Sequence, residues 1–577
     1  MINAVLCFLI FSVPIFVLPT ILDNSFETPK NLLILLGSLV MVGIYGVRYF
    51  TGRTVETLKT DTSTIMLFIA GLNLLSFFYT KNPYYTAIAA TLNLSCLAVF
   101  YFSSLYLNHR LAVWLIAVSG LVVAIETWLQ FFDIFLIFKF AHPGIMMMGT
   151  IGNSNFLGAY YVFPLFGLIG LAFMYRKYWY VFVSILLFIF AAFLFTRARA
   201  SWMGFGVIAP LSIIYLWRLH GVRVSIKGGT AVALWVCFIL LISWQVAPVR
   251  FKGMMQWQQV MKTKTLMLRT KKYSAASWWM IKENPLFGQG LRSYRNTVYE
   301  AQATIEKQKE GFFKDYPEPK PRHVHNEYLE ILNDGGILAG IVLLGFVLTI
   351  LKHGWTVLQD KRVGQNARAV CSVAFFSVIA ILIAAVFFFP FRINTTLFMT
   401  VICLGIMEGV YSRHNEIQGP KRPMMVITLF CLIIGILWFS GLKSFIAERA
   451  YMQYVRTIQG KDPKLAEPYI RKALEYDPQS TQYAFYGSGF YRNVMGNMAV
   501  SDELLNKALV DFNGDITIWS IYYMKGLHDM QLGNVLMARE SFLKTLYYCP
   551  TFKPGIVKFI EVNDIISKND KIVIRLR

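Results

Sequence analysis

Up to about residue 445, long apolar runs alternate with short polar, basic stretches. Runs able to cross the hydrocarbon, which takes roughly 20 apolar residues in a helix, fall near 4–22, 31–49, 63–80, 85–106, 111–132, 156–174, 179–196, 202–218, 230–248, 336–352, 369–389, 394–411 and 424–444. The pattern predicts an all-α, polytopic membrane bundle of about 12–13 spans, because a helix satisfies its own backbone polar groups where lipid cannot. The run from Ala4 to Leu22 has no basic lead and no small-residue cleavage site, so it is expected to remain as a first span. Two regions break the pattern, a polar loop at about 249–335 and a charged tail over 446–577. In the tail, Ala466, Ala473 and Pro478 recur as Ala538, Thr545 and Pro550. Small residues for helix contacts, with a proline at the turn, predict tetratricopeptide-like repeats or another array of helical hairpins. The expected organisation is thus a transmembrane domain over 1–445, with its loop, and a helical-repeat domain over 446–577.

Composition agrees with the pattern. Of 577 residues, 56% are hydrophobic and 15% charged, against roughly 25% charged in soluble domains. A net charge of +23 would suggest nucleic acid in a soluble protein. Here much of it lies in loops, so it points to topology, anionic lipid or an anionic substrate, and no nucleic-acid partner is expected. The basic residues divide unequally between alternate loops. One set includes Arg48, Arg110, Arg176, Lys177, Arg218, Arg362 and Arg413; the other holds only Lys30, Lys81, Lys139, Arg197, Arg199 and Arg392. That bias puts the N-terminus in the cytoplasm, and the long loop and the tail outside. Six of the seven cysteines lie in apolar runs and no CxxC occurs, so neither a disulfide framework nor a cysteine metal site is expected.

Three features with chemical potential fall on the expected outer face. At the junction Thr196 to Trp202, Arg197 and Arg199 run against the charge bias. Their guanidinium forks suit phosphate oxygens, or they snorkel to lipid headgroups. The loop opens basic and aromatic, with Arg269, Lys271, Lys272, Trp278 and Trp279. It continues as Asn284-Pro285-Leu286-Phe287-Gly288-Gln289-Gly290, where the glycines either form a structural turn or admit a ligand to the backbone. Its spacing is not that of a P-loop. Third, His323-Val324-His325-Asn326-Glu327 precedes a span. A histidine there can act as a base, can bind metal together with Glu327, or can be structural. Glu126 is the one acid well inside a span, with Asp133 and Glu408 nearer the ends. That is little support for a glycolipid transporter or flippase, which needs a polar path across the membrane.

In this order, these segments resemble the O-antigen ligase and polymerase family, the Wzy C-terminal domain class. Thr196–Gly204 is similar to its Ser-Arg-Gly/Ala-x-Trp element, with Ala198 where serine is usual and Arg199 as the arginine. Residues 284–290 resemble its Pro-Leu-x-Gly-x-Gly turn, and His325 to Leu329 its His-Asn-x-Tyr-Leu element. Gly152-Asn153-Ser154-Asn155 resembles its Gly-Asn-Pro-Asn stretch, with Ser154 in place of proline. The resemblance covers roughly residues 60 to 410. It implies a metal-independent, cofactor-free transfer of a glycan from undecaprenyl diphosphate to an acceptor hydroxyl, at the periplasmic face of the bacterial inner membrane. The implied partners are the lipid-linked glycan, membrane lipid, and lipid A–core or a protein as acceptor; the repeats could recruit a further protein. O-antigen ligation is the first reading, with repeat-unit polymerisation and protein O-glycosylation as siblings. The implied catalytic residues are His325 as base, with Arg199 and Arg269 on the leaving diphosphate. Arg197, Asn153, Asn155, Asn326, Gly288 and Gly290 are the implied substrate-binding residues.

Overall fold

The protein is described from a computed structural model covering residues 1–577 except 20, 23, 52–56, 59, 81, 135–146, 222–229, 231, 232, 236, 238–267, 314–321, 416–423 and 576–577. At 268–270, 424–440 and 569–575 it describes the backbone alone. The fold is all-α, with no strand among the described residues. The N-terminal helices are α1 (Ile2–Ser12), α2 (Glu27–Phe50), α3 (Asp61–Leu75), α4 (Pro83–Tyr106), α5 (His109–Phe131), α6 (Ser154–Met174), α7 (Trp179–Phe195) and α8 (Arg199–His220). The loop contributes α9 (Ser274–Glu283) and α10 (Tyr294–Gln308), followed by α11 (Glu327–Gln359), α12 (Gln365–Ala384) and α13 (Asn394–His414). Beyond them, α14 (Met424–Thr457) leads into α15 (Glu467–Tyr476), α16 (Thr481–Asn493), α17 (Met498–Val510), α18 (Ile518–Gln531), α19 (Val535–Tyr548) and α20 (Lys553–Arg575).

Ten helices among the described residues are long and apolar enough to cross a membrane, fewer than the run count predicts. Most of the expected span at 230–248 lies outside the described residues, as do the side chains of the first half of α14. The expected first span at 4–22 is corrected. Its helix stops at Ser12 after 11 residues, because Pro14 and Pro19 carry no N–H to continue it. The segment is nonetheless tied to the bundle near both its ends. Asn3 Oδ1 accepts from Asn108 N at 2.8 Å at one end, and Pro14 O accepts from Thr150 Oγ1 at 2.7 Å near the other.

Helices α4, α6, α12 and α13 form the inner layer, buried nearly all round. The far end is closed by polar pairs. Arg413 donates to Leu105 O at 2.8 Å, and Asp360 binds Arg362 and His414. The buried Glu408 ties three helices together by accepting from Thr62 Oγ1 at 2.9 Å and pairing with His353 Nδ1 at 2.8 Å. After the bundle, α14 pairs with α15, α16 with α17, and α18 with α19. The recurring small residues Ala466, Ala473, Ala508, Ala538 and Thr545 are all fully buried at these contacts, while Pro478 and Pro550 occupy the turns after α15 and α19.

Candidate functional site

At the opposite end of the bundle, α11 is broken at Gly336, whose φ of 66° and ψ of −167° suit glycine alone. The break frees backbone groups, and the turn over 285–290 takes them up. Gln289 N donates to Asn333 O at 2.7 Å and Gly290 N to Asp334 O at 2.9 Å; in return Ile337 N donates to Pro285 O at 2.9 Å. A Cβ at Gly288 would overlap Asn333 O, and one at Gly336 would overlap the Leu286 carbonyl. The close approach that Gly288 permits is therefore to α11, whereas a Cβ at Gly290 would meet Thr80.

The first turns of α11 place Glu327, Glu330 and Asp334 on one face by their three- and four-residue spacing. Arg392 lies against that face, with Nε 2.9 Å from Glu327 Oε1 and 3.6 Å from Glu330 Oε1, and Nη1 2.5 Å from Asp334 Oδ2. Burial opposes its charge, but the three carboxylates outweigh that and hold the guanidinium above its ordinary range. Glu330 also pairs with His323 Nδ1 at 2.7 Å and accepts from Val324 N at 3.1 Å. Asp334 accepts from Arg292 N at 3.1 Å. Burial, then the neighbouring Arg295 and Arg392, pull the Arg292 guanidinium down to about 10. An anionic ligand would relieve that crowding of positive charge.

The sequence-predicted residues lie around this core. Asn153 and Asn326 cap helices: Asn153 Oδ1 accepts from Asn155 N at 2.9 Å and Asn326 Oδ1 from Leu329 N at 3.0 Å. Phe156, one residue past Asn155, packs on Phe388 and Phe389 with ring centres 5.9 and 5.8 Å apart. Phe389 in turn stacks on His323 at 4.1 Å and meets His325 edge-on at 5.0 Å. His325 stacks on Tyr273 at 5.7 Å, the last residue of the short helical stretch Leu268–Tyr273. Arg269 belongs to that stretch, but its side chain is outside the described residues. Arg199 is exposed as the first residue of α8, and Arg197 is half-buried just before it. Ala198 packs against Gly158 of α6, where a Cβ would overlap it; a small residue is required there. One end of α6 thus touches both the arginine junction and the phenylalanine that touches both histidines. Lys30 fixes the preceding segment, its buried Nζ donating to Thr150 O at 2.7 Å.

Four non-glycine residues among those described have φ in the left-handed region, and three of them, Arg197, Arg292 and His325, belong to these segments. Such strain persists where the surroundings over-determine it. The metal reading finds no matching geometry. Glu327 gives its carboxylate to Arg392 Nε and Phe391 N, each at 2.9 Å, and among the described residues the one group of three suited to an ion is Asp502, His528 and Asp529, far along the C-terminal helices.

Beside the site lies a cavity of about 460 Å³. The loop and α11 contribute Arg292, Arg322, His323 and Glu330; the bundle adds Glu27, Tyr85 and Arg392; the C-terminal helices add Glu448, Asp477, Gln482 and Asp515. None of the sequence-predicted site residues whose side chains are described lines it. The C-terminal helices are latched over it. Arg295 Nη2 is 2.6 Å from Asp515 Oδ1, its Nε donates to Asn513 O at 2.6 Å, and its guanidinium lies over the Tyr85 ring at 5.1 Å. Tyr84 N donates to Gln479 Oε1 at 2.9 Å, and Tyr547 and Tyr548 donate to Glu300.

Sequence reasoning missed Arg392 as a counter-ion, Arg292, Glu330 as the partner of His323, and Glu27. The spacing of Glu327, Glu330 and Asp334 ahead of a span, together with an outward Arg392, was the available signal for the first. Fold and site define a polytopic membrane protein with a polar site of mixed charge at one end of its helix bundle. A family model described as O-antigen ligase matches residues 182–344, a stretch holding Arg197, Arg199, Arg269, Gly288, Gly290, His325 and Asn326. The match supports glycan transfer of the O-antigen ligase or polymerase type and a lipid-linked glycan as substrate class. No curated protein matches the chain.

Proposed function

We propose that the chain transfers a glycan from undecaprenyl diphosphate to an acceptor hydroxyl at the periplasmic face of the bacterial inner membrane, as an O-antigen ligase acting on lipid A–core. The observation that carries this reading is that the start of α6 meets the arginine junction at Gly158 and, through Phe156, the Phe389 ring that both histidines touch; the junction and the histidines both lie in the segment matched by the family model. His325 takes the proton of the acceptor hydroxyl as its oxygen attacks the anomeric carbon. The bond from that carbon to the diphosphate oxygen breaks, and undecaprenyl diphosphate leaves with the electron pair. Arg199 and Arg269 hold the charge that develops on it. A second reading makes His323 the base. It is favoured by the 2.7 Å contact of its Nδ1 with Glu330, since a carboxylate on one ring nitrogen orients the other for proton transfer.

The test is transfer in cells by His325→Ala, His323→Ala and Arg199→Ala variants, read as glycan ladders on lipopolysaccharide and on protein. Loss in His325→Ala and Arg199→Ala is expected. Full transfer by both at normal protein level overturns the mechanism, and loss in His323→Ala alone moves the base to His323. Loss of a glycoprotein band with intact lipopolysaccharide replaces ligation by protein transfer.

A further inference from the structure

Among the described residues, three buried oxygen acceptors of the cavity have no hydrogen-bond partner, Glu27 Oε1 and Asn31 Oδ1 from the bundle and Asp477 Oδ1 from the turn between α15 and α16, and the Tyr294 hydroxyl beside them is likewise unpaired. Asp477 is only 4% exposed. Its other oxygen, Oδ2, accepts from Tyr85 Oη at 3.3 Å, and that same phenol lies 3.2 Å from Asp515 Oδ2. One phenolic hydrogen cannot serve both carboxylates, so the turn is short of donors. Buried acceptors left unmatched are costly, and a ligand rich in hydroxyls would supply what is missing. An anion would not, because Glu27, Glu448, Asp477 and Asp515 would repel it. Arg292 lines the same cavity and is the group an anion would approach, while Arg322 donates to Asp515 O at 3.1 Å. The cavity therefore offers guanidinium groups and unmatched oxygen acceptors together, as a sugar diphosphate would need.

We propose that the C-terminal helices are part of the transfer site, and that Asp477 and Gln482, facing Glu27 across the cavity, bind hydroxyls of a saccharide. The inference rests on the transferase reading and adds the repeats to it as a specificity wall. The saccharide has two sources, the glycan of the lipid-linked donor and a sugar acceptor, and each predicts a different kinetic change.

The test uses the full chain in detergent at pH 8, as wild type, Asp477→Asn, Gln482→Ala and, on a distant surface, Lys525→Ala. Asp477→Asn keeps the oxygen that faces Tyr85, so the fold is not expected to loosen; thermal unfolding checks this. For Asp477→Asn the expected result is about a tenfold rise in one KM, the size of one hydrogen bond to a charged group, with kcat and the Lys525→Ala control unchanged. A rise confined to donor KM assigns the wall to the donor glycan, and one confined to acceptor KM assigns it to the acceptor. Unchanged KM for both substrates in both variants overturns the inference while the transferase reading stands. If the wild type transfers nothing, that reading fails separately. The wall is then judged by calorimetry with glycan released from the lipid-linked pool by mild acid. Binding by the wild type that Asp477→Asn weakens about tenfold supports the wall. Absent binding, or binding abolished by a calcium chelator, overturns it.

Discussion

His323 Nδ1 lies 2.7 Å from Glu330 Oε1, and the His323 ring stacks on Phe389, which separates it from His325. Two histidines two residues apart thus face different surroundings, one the cavity and the other Tyr273. Glu330→Gln keeps the side chain's shape but removes the charge that orients His323. If His323 carries the proton, transfer should fall about tenfold or more at normal protein level. If His325 does, transfer should be nearly unchanged, and glycan ladders from Glu330→Gln and wild type separate the cases.

Arg392 is the cation for three buried carboxylates. Arg392→Met would leave Glu327 and Asp334 without their cation and Glu330 with His323 alone, and breaking such a buried set costs about 3–5 kcal/mol. Thermal unfolding in detergent should show a large loss for Arg392→Met. Arg392→Lys should recover only part, because an ammonium lacks the fork that reaches Glu327 and Asp334 together.

The kink in α11 gives a backbone test. Gly336→Ala faces both a forbidden conformation and overlap with the Leu286 carbonyl, so a loss of about 3 kcal/mol or more is expected. Gly345, on the same helix, has open space around it. Gly345→Ala should be neutral or slightly stabilising, and a comparable loss in both variants would contradict the account of the kink.

Docking of the C-terminal helices should depend on pH. Burial, then the charge of Asp515, raise the Asp477 carboxyl from its ordinary 3.8 to about 7. Between those values the docked form keeps a proton that the unfolded chain has released. Stability should therefore fall as pH rises from about 4 to about 7 and level off above, by on the order of 4 kcal/mol at most. Hydrogen exchange of α15 and α16 at pH 5 and pH 8 measures it. Asp477→Asn should remove the dependence and protect these helices at pH 8.

The latch at Arg295 is the last prediction. Arg295→Ala and Asp515→Asn should each speed exchange in α15 to α18, and the double variant should be less than additive by about 1–3 kcal/mol. Additive effects would mean that the 2.6 Å pair contributes little to closure.

By itself the sequence determined the all-α membrane bundle, the sorting of its basic residues to opposite ends, and the segments that meet at one of them. Apolar periodicity, helix length and the small residues at Ala466, Ala473 and Ala538 are local signals, and burial follows from them directly. Even there the reading of 4–22 as a full span failed, because two prolines outweigh apolar composition. Only the tertiary structure decided partners. Asn153 and Asn326 cap helices; Gly288 and Gly290 close on the broken backbone of α11; Arg392 joins acids some sixty residues away in the chain; His323 rather than His325 faces the cavity. A polar side chain's preference is satisfied by any donor or acceptor of the right kind. Which one it meets depends on how distant segments pack, and that information is not held in the neighbouring residues.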